Sequence, residues 1–377
     1  MPKITRLESI PLSIPESNTS LIGRGRLTSS IVITRVFVEG GVFGVGVSAG
    51  GMMVYSGESF EDVCMVQRKF FAPLLVGEDA FNVERIMDRL DGSTIGHEMA
   101  KAGVDIALYD LLGKLLNLPV YVLLGGVFRE RFPVKMQISI MESGLVLERA
   151  KRAVELGVKA VCFKGGRDPE RDVAVMKLLR EELGEDLPLQ VDFNQGYRPN
   201  VAISTIKKLE KYNPQFIEQP VLGRDILGLR HVKRSVSTPI TADESIYTPL
   251  DAMNLIRLEA ADAFNVKLQK CGGFHATRKV VAIAEAAGIP CSLGIVSDGT
   301  IGIAALRHAI TAFKGITLPG MGANYSIGVF FENNEGNLLK EQLPEAENGY
   351  LTPPKGPGLG IQLNEESISK YQVSMNF

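Results

Sequence analysis

The chain carries almost no excess charge. Its 41 basic and 43 acidic residues leave a net −2 at neutral pH over 377 positions. That balance excludes the electrostatic footprint of a nucleic-acid binder or of a protein held on an anionic membrane. Cysteine is scarce. The four present (Cys64, Cys162, Cys271, Cys291) fit neither metal-ligand spacing nor a disulfide framework, so a reducing cytoplasm is the expected compartment. Long apolar runs are missing, and no window approaches the roughly 18 residues a membrane helix needs. The opening MPKITRLESIPLSIPES has neither a continuous apolar segment nor a small-residue cleavage site, so no signal peptide is read.

The length allows two domains. Residues 4–11 and 30–38 alternate apolar and polar, as strands with one wet face do. VEGGVFGVG puts glycines between strand-like pieces and reads as a hairpin. No helix opens after it, which removes the context a dinucleotide-binding glycine loop requires. Helical patterns follow over roughly 58–74, 81–91 and 97–117. From residue 134 the texture becomes regular. Short apolar strands (VKMQIS, AVCF, LQVDF, FIEQ, ITAD, AFNVKL, IPCSL, GITLP) alternate with helical stretches, the pattern of parallel strands joined by helices. After 325 it dissolves into turn-rich sequence, expected to pack back on the N-terminal domain.

Five strands end in a charged residue: Lys164, Asp192, Glu218, Asp243 and Lys267, at intervals of 24 to 28 residues. One strand–helix unit has that length, so one structural position recurs in successive units. In a closed barrel every C-terminal strand end faces a single mouth, whereas an open sheet would spread the five along an edge. Convergence favours the barrel. Three carboxylates supply hard oxygen ligands suited to Mg²⁺, and the absence of histidine and cysteine among them disfavours zinc or copper. A helix-capping role would explain one such acid, but not three in register. Lys164 and Lys267 lie on the second and sixth strands of this count, across the mouth from each other. Both could reach the α-carbon of a metal-bound carboxylate. Free lysine titrates at about 10.4, and burial with a neighbouring cation would lower that toward a usable base. Alternation puts Asn194 on the face of Asp192 and Gln269 on that of Lys267. Glu244, beside Asp243, could orient a lysine or a metal ligand.

These residues resemble the enolase superfamily, in its mandelate racemase/muconate lactonizing enzyme branch. The match runs nearly the whole chain: AKAGVDIALYDLLGKLLNLPVYVLLGG (Ala100–Gly126), VDFNQGY, FIEQP, TADES, FNVKLQKCGGFHATRKVVAIAEAAGIP and PPKGPGLGIQLNE. The resemblance implies an α/β fold: a modified TIM barrel, (β/α)₇β, over 129–325. An α+β capping domain over 1–128 would be completed by the tail, 326–377. It implies Mg²⁺ held by Asp192, Glu218 and Asp243, with Lys164 and Lys267 as the acid/base pair of an enediolate mechanism general to that superfamily. The sixth-strand lysine is similar to the muconate cycloisomerase-like subgroup; no histidine follows the seventh strand, IPCSLGI. Three positions depart from the pattern. Cys162 stands where the subgroup has a lysine, Asp298 where it has a glutamate, and LPGMGANYS lacks the paired aspartates of dipeptide epimerases. Specificity in that family belongs to two capping loops, here 15–27 and 48–59. Arg24 and Arg26 would hold a distal carboxylate, and Tyr55 would cover the substrate. His275 falls on a helix after Gly273, where packing explains it.

The expectation is an enzyme that removes the α-proton of a small carboxylate substrate and returns it, as a racemase, epimerase or cycloisomerase. The main alternative is a dehydratase that expels a β-hydroxyl after the same first step. A retired barrel that only binds a metal or a partner fits poorly with the retained triad and both lysines. The expected partners are the substrate and further copies of the chain, a homo-oligomer, without nucleic acid or membrane.

Overall fold

The structure, a computed structural model, describes residues 1–15, 28–50, 57–321 and 337–375. The first three strands, β1 (Ile4–Pro15), β2 (Thr28–Val38) and β3 (Phe43–Gly50), form an antiparallel sheet in chain order. β2 and β3 make the hairpin read from VEGGVFGVG, turning through Gly40 and Gly41 at φ +85° and +82°. The other two glycines serve packing. A Cβ on Gly44 or Gly46 would lie 1.9 or 2.0 Å from the carbonyl of Ala107 or Gly103 on the helix Glu98–Leu116. That helix is apolar nearly all round and accordingly buried.

The single wet face expected for 30–38 is not found. Residues 30 to 34 of β2 are all buried. Ile31 and Ile33 join the apolar cluster of the barrel, and Val32 and Val36 that of the capping helices. A central strand covered on both sides has no wet face, and its Thr34 is satisfied by the buried Gln67 amide at 2.9 Å.

A two-residue strand, β4 (Phe132–Pro133), leads into seven parallel strands. These are β5 (Lys135–Ile138), β6 (Ala160–Lys164), β7 (Leu189–Asp192), β8 (Phe216–Glu218), β9 (Ile240–Ala242), β10 (Ala263–Lys267) and β11 (Cys291–Gly294). They pair in chain order as one curled sheet. The eighth stretch, GITLP, closes the curl by single bridges rather than a full ladder: Cys291 to Ile316 on one side, Val134 to Gly320 on the other. Lys135 N–H donates to Gly320 O at 2.9 Å, and Met321 N–H to Leu293 O at 3.1 Å.

The tail touches both units. β12 (Tyr350–Leu351) pairs antiparallel with β4, ahead of the first barrel strand. The chain then passes the capping helix, where Leu359 N–H donates to the buried Asp110 at 2.8 Å. It ends along β1, with Arg35 bound to both oxygens of Glu365 at 2.7 Å and Val373 N–H on Pro11 O at 3.0 Å. This seals the edge strand β1. Among the described residues no helix is long and apolar enough to cross a membrane.

Candidate active site

Each of the five strand-end residues arrives by the same route: a short, largely buried strand delivers a charged residue at or just past its C-terminal end. Register places Lys164 opposite Asp192, and Asp192 opposite Glu218. Asp243 follows β9 directly, and Lys267 ends β10. A carboxylate oxygen from each of Asp192, Glu218 and Asp243 lies within 4.8 Å of the others, and all three residues are buried. Lys164 Nζ donates to Asp192 Oδ2 and Lys267 Nζ to Asp243 Oδ2, each at 2.5 Å. The five predicted residues therefore meet in one place.

The electrostatics differ from expectation in one respect. The lysines, expected to be shifted toward the neutral amine, are instead held as ammonium. Burial pushes Lys164 down, but the charges of Asp192 and Glu218 outweigh it and raise the pKa; Asp243 and Glu244 do the same to Lys267. The reason is contact: each amine rests on a carboxylate rather than beside a cation. Among the acids, burial and then Asp192 raise Glu218 to about 7. Burial would raise Asp243 as well, but Lys267 and Lys270 hold it well below the usual range.

The neighbouring predictions divide. Asn194 leaves the strand at φ +41°; its N–H donates to Asp192 Oδ1 at 2.8 Å and its amide to Glu244 Oε1 at 3.0 Å. Glu244 is thus in the site, raised to about 8 by burial and then by Asp243 and Asp192, and its Oε2 lacks a hydrogen-bond partner. Gln269 does not continue the alternation of β10, because Leu268–Cys271 is a single helical turn; its amide reaches β3 instead. Asp298, which follows β11, is buried, accepts Val296 N–H at 3.1 Å, and is raised to about 7 by burial. His275 stands apart, 3.4 Å from Glu84. Arg24, Arg26 and Tyr55 lie outside the described residues.

Two amines were missed. Lys270, fully buried, binds Asp243 Oδ1 at 2.5 Å and also its carbonyl, so Asp243 is held from both sides. Lys135 rises through the barrel interior to 3.7 Å from Glu218 Oε2. Cys162 is buried; burial holds its thiol protonated, and the opposing charge acting most strongly on it is Lys135. The signal for Lys135 was available: Lys135, Gln137 and Ser139 are polar at period two inside VKMQIS, as inward residues of a polar-cored barrel would be. Asn265, two before Lys267, carries the same signal and donates to Glu218 Oε1 at 2.7 Å.

The donor set fits a hard divalent cation. Three oxygens come from three separate strands, no soft ligand stands among them, and a Glu244 oxygen beside them is unsatisfied. Fold and site together define a barrel enzyme with an acid triad under an α+β cap. Comparison with known proteins narrows this class. Residues 16–125 match the mandelate racemase/muconate lactonizing enzyme N-terminal domain, and residues 145–367 match the enolase C-terminal domain-like family. The chain is 31% identical to the N-succinyl-L-Arg/Lys racemase of Bacillus cereus over 98% of both. It is 33% identical to a hydrophobic dipeptide epimerase of Enterococcus faecalis over 95% of this chain and 99% of that one. The crystal structure of muconate lactonizing enzyme from Pseudomonas fluorescens, complexed with muconolactone, superposes with a TM-score of 0.92 at 31% identity, covering 99% of this chain and all of that one. The chain belongs to the mandelate racemase/muconate lactonizing enzyme family of the enolase superfamily, whose racemase, epimerase and cycloisomerase members are isomerases.

Proposed function

We propose that this protein is a racemase or epimerase acting at the α-carbon of a small carboxylate, with Mg²⁺ as its metal. The observation that carries this reading is the pair of buried lysines, one on β6 and one on β10, flanking a single acid cluster. Asp192, Glu218 and Asp243 would hold the ion. When bound, the ion supplies positive charge that stabilises an enediolate and competes with the lysines for the carboxylates.

The chain's own groups do the proton work. One lysine, once its carboxylate engages the ion, would release its own proton to solvent and, as the neutral amine, take the α-proton; the C–H electron pair moves into the carboxylate to give the enediolate. The other lysine, as ammonium, returns a proton to the opposite face. Asn265 and Lys135 hold Glu218, and Lys270 holds Asp243, so both acids keep their places through the cycle. Asn194 ties Glu244 to the β7 loop. The same abstraction would start a cycloisomerisation run in reverse, which the similarity to muconate lactonizing enzyme favours as second reading. The buried, separate cysteines agree with a reducing cytoplasm.

The test is α-proton exchange in D₂O with Mg²⁺ over a panel of N-succinyl amino acids, dipeptides and muconolactone. Deuterium at the α-carbon with loss of optical activity is expected. Loss of water from a hydroxy-acid without racemisation would replace this reading with a dehydratase.

A further inference from the structure

Gln269 is a polar side chain only 1% exposed, and it is made to do something specific. Its Nε2 donates to Val47 O at 2.8 Å, and its Oε1 accepts from Ala49 N–H at 2.9 Å. Both groups belong to β3, an edge strand of the capping sheet whose other end is bonded by Asp110 and Lys114 of the capping helix. A carboxamide presents one donor side and one acceptor side in a plane, as a peptide group does. Gln269 therefore stands in for one residue of an additional strand. It also lies near Asp298, past the end of β11. Val296, beside Asp298, belongs to the apolar cluster of the cap.

The turn that carries Gln269 is the second half of the argument. Leu268–Cys271 starts at Lys267, and its Lys270 grips Asp243. The turn is followed by Gly273, held against the cap residue Asp105: a Cβ at Gly273 would lie 2.3 Å from Asp105 Oδ2. One four-residue turn thus joins cap, Lys267 and Asp243. Lys164 and its partner Asp192 make no such link: the hydrogen bonds described for their side chains stay within the barrel, to each other, Gln137 and Asn194.

We infer that Gln269 is a positioning residue: it seats the edge of the capping sheet on the Lys267 side of the site, so that proton transfer at the Lys267 face depends on it and transfer at the Lys164 face does not. The inference rests on the function proposed above, and its test has one arm that needs no substrate. Gln269→Met keeps the length but removes both bonds. Gln269→Glu keeps the acceptor for Ala49 and removes the donor to Val47, which covers the case in which the first variant folds poorly. In Mg²⁺-loaded protein, hydrogen exchange over residues 43–50 should lose protection roughly tenfold in Gln269→Met, the effect of about one hydrogen bond's net free energy. In the kinetic arm, α-deuterium incorporation is measured from each enantiomer. The Lys267 face is identified as the one Lys164→Ala still exchanges. Exchange at that face should fall roughly tenfold with KM little changed, and exchange at the other face by less than about twofold. Equal losses at both faces, or unchanged protection over β3, would overturn the inference. If the wild type exchanges no acid of the panel, the proposed function fails, and the hydrogen-exchange arm still decides whether Gln269 seats the sheet.

Discussion

Lys164 and Lys267 each rest at 2.5 Å on a different carboxylate, and that separation gives the two single losses different signatures. Lys164→Ala should abolish racemisation yet keep α-deuterium exchange on the enantiomer served by Lys267, and Lys267→Ala the reverse. The overall rate should drop by at least the roughly 10²–10⁴-fold associated with one general acid–base group. Near wild-type racemisation by Lys164→Ala would make that lysine structural. Both lysines were legible because a charge ending an apolar strand has no packing reason to be there. The direction of their pKa shift was not legible, since it depends on which oxygen each amine touches.

Cys162 also belongs at this scale. The amine missing from position 162 has a counterpart in Lys135, on the adjacent strand, with Gln137 rather than Lys135 as the register partner of Cys162. A lysine restored by Cys162→Lys would crowd a second ammonium and a long stem into a filled interior. We expect it to cost about 1–3 kcal/mol, the range for overpacked cores, and Lys135→Met in the same chain to recover much of that. Urea unfolding of the four combinations gives the coupling; additive losses would mean the two positions do not share a space.

At the scale of elements, Asp105 shows what a sequence conceals. It lies within the apolar capping helix yet caps a barrel helix, accepting Phe274 N–H at 2.5 Å while its Oδ1 has no partner. Burial raises it to about 8, against bonds from Phe274 and His275 that lower it. The folded state therefore binds the proton more tightly than the unfolded state. Stability from this group is greatest below about pH 4 and is lost as pH rises toward 8. Asp105→Asn should flatten that slope. Its unfolding free energy relative to wild type should rise between pH 5 and 8 by at least about 1.4 kcal/mol, the worth of one pKa unit. A constant difference would show that the carboxylate does not take up the proton. Strand positions in the barrel were legible as short apolar runs alternating with helical stretches. The eighth strand was only half right, because GITLP closes the ring through isolated bridges. The helical turn at Leu268–Cys271 was invisible, because four residues hold too little pattern to separate a turn from a strand's end.

At the scale of the whole molecule, the acid triad is a joint between three strands that are otherwise linked only to their neighbours. Three buried carboxylates with oxygens within 4.8 Å repel one another, and four lysines reaching Asp192, Glu218 and Asp243 offset that repulsion. An ion that binds only the assembled barrel must then stabilise all of it at once. At a hundredfold excess over its dissociation constant the gain is about 2.7 kcal/mol, which in a chain of this length amounts to a few degrees in the unfolding midpoint. Mg²⁺ added to chelator-treated protein should produce that rise. Asp192→Asn, Glu218→Gln and Asp243→Asn should each remove it while unfolding cooperatively in Mg²⁺-free buffer. Asp243→Asn should also start from lower stability, because it strands the fully buried Lys270 beside a neutral amide. A midpoint that rises equally in wild type and in all three variants would place the ion elsewhere, and the triad would then be a charge network held by lysines alone.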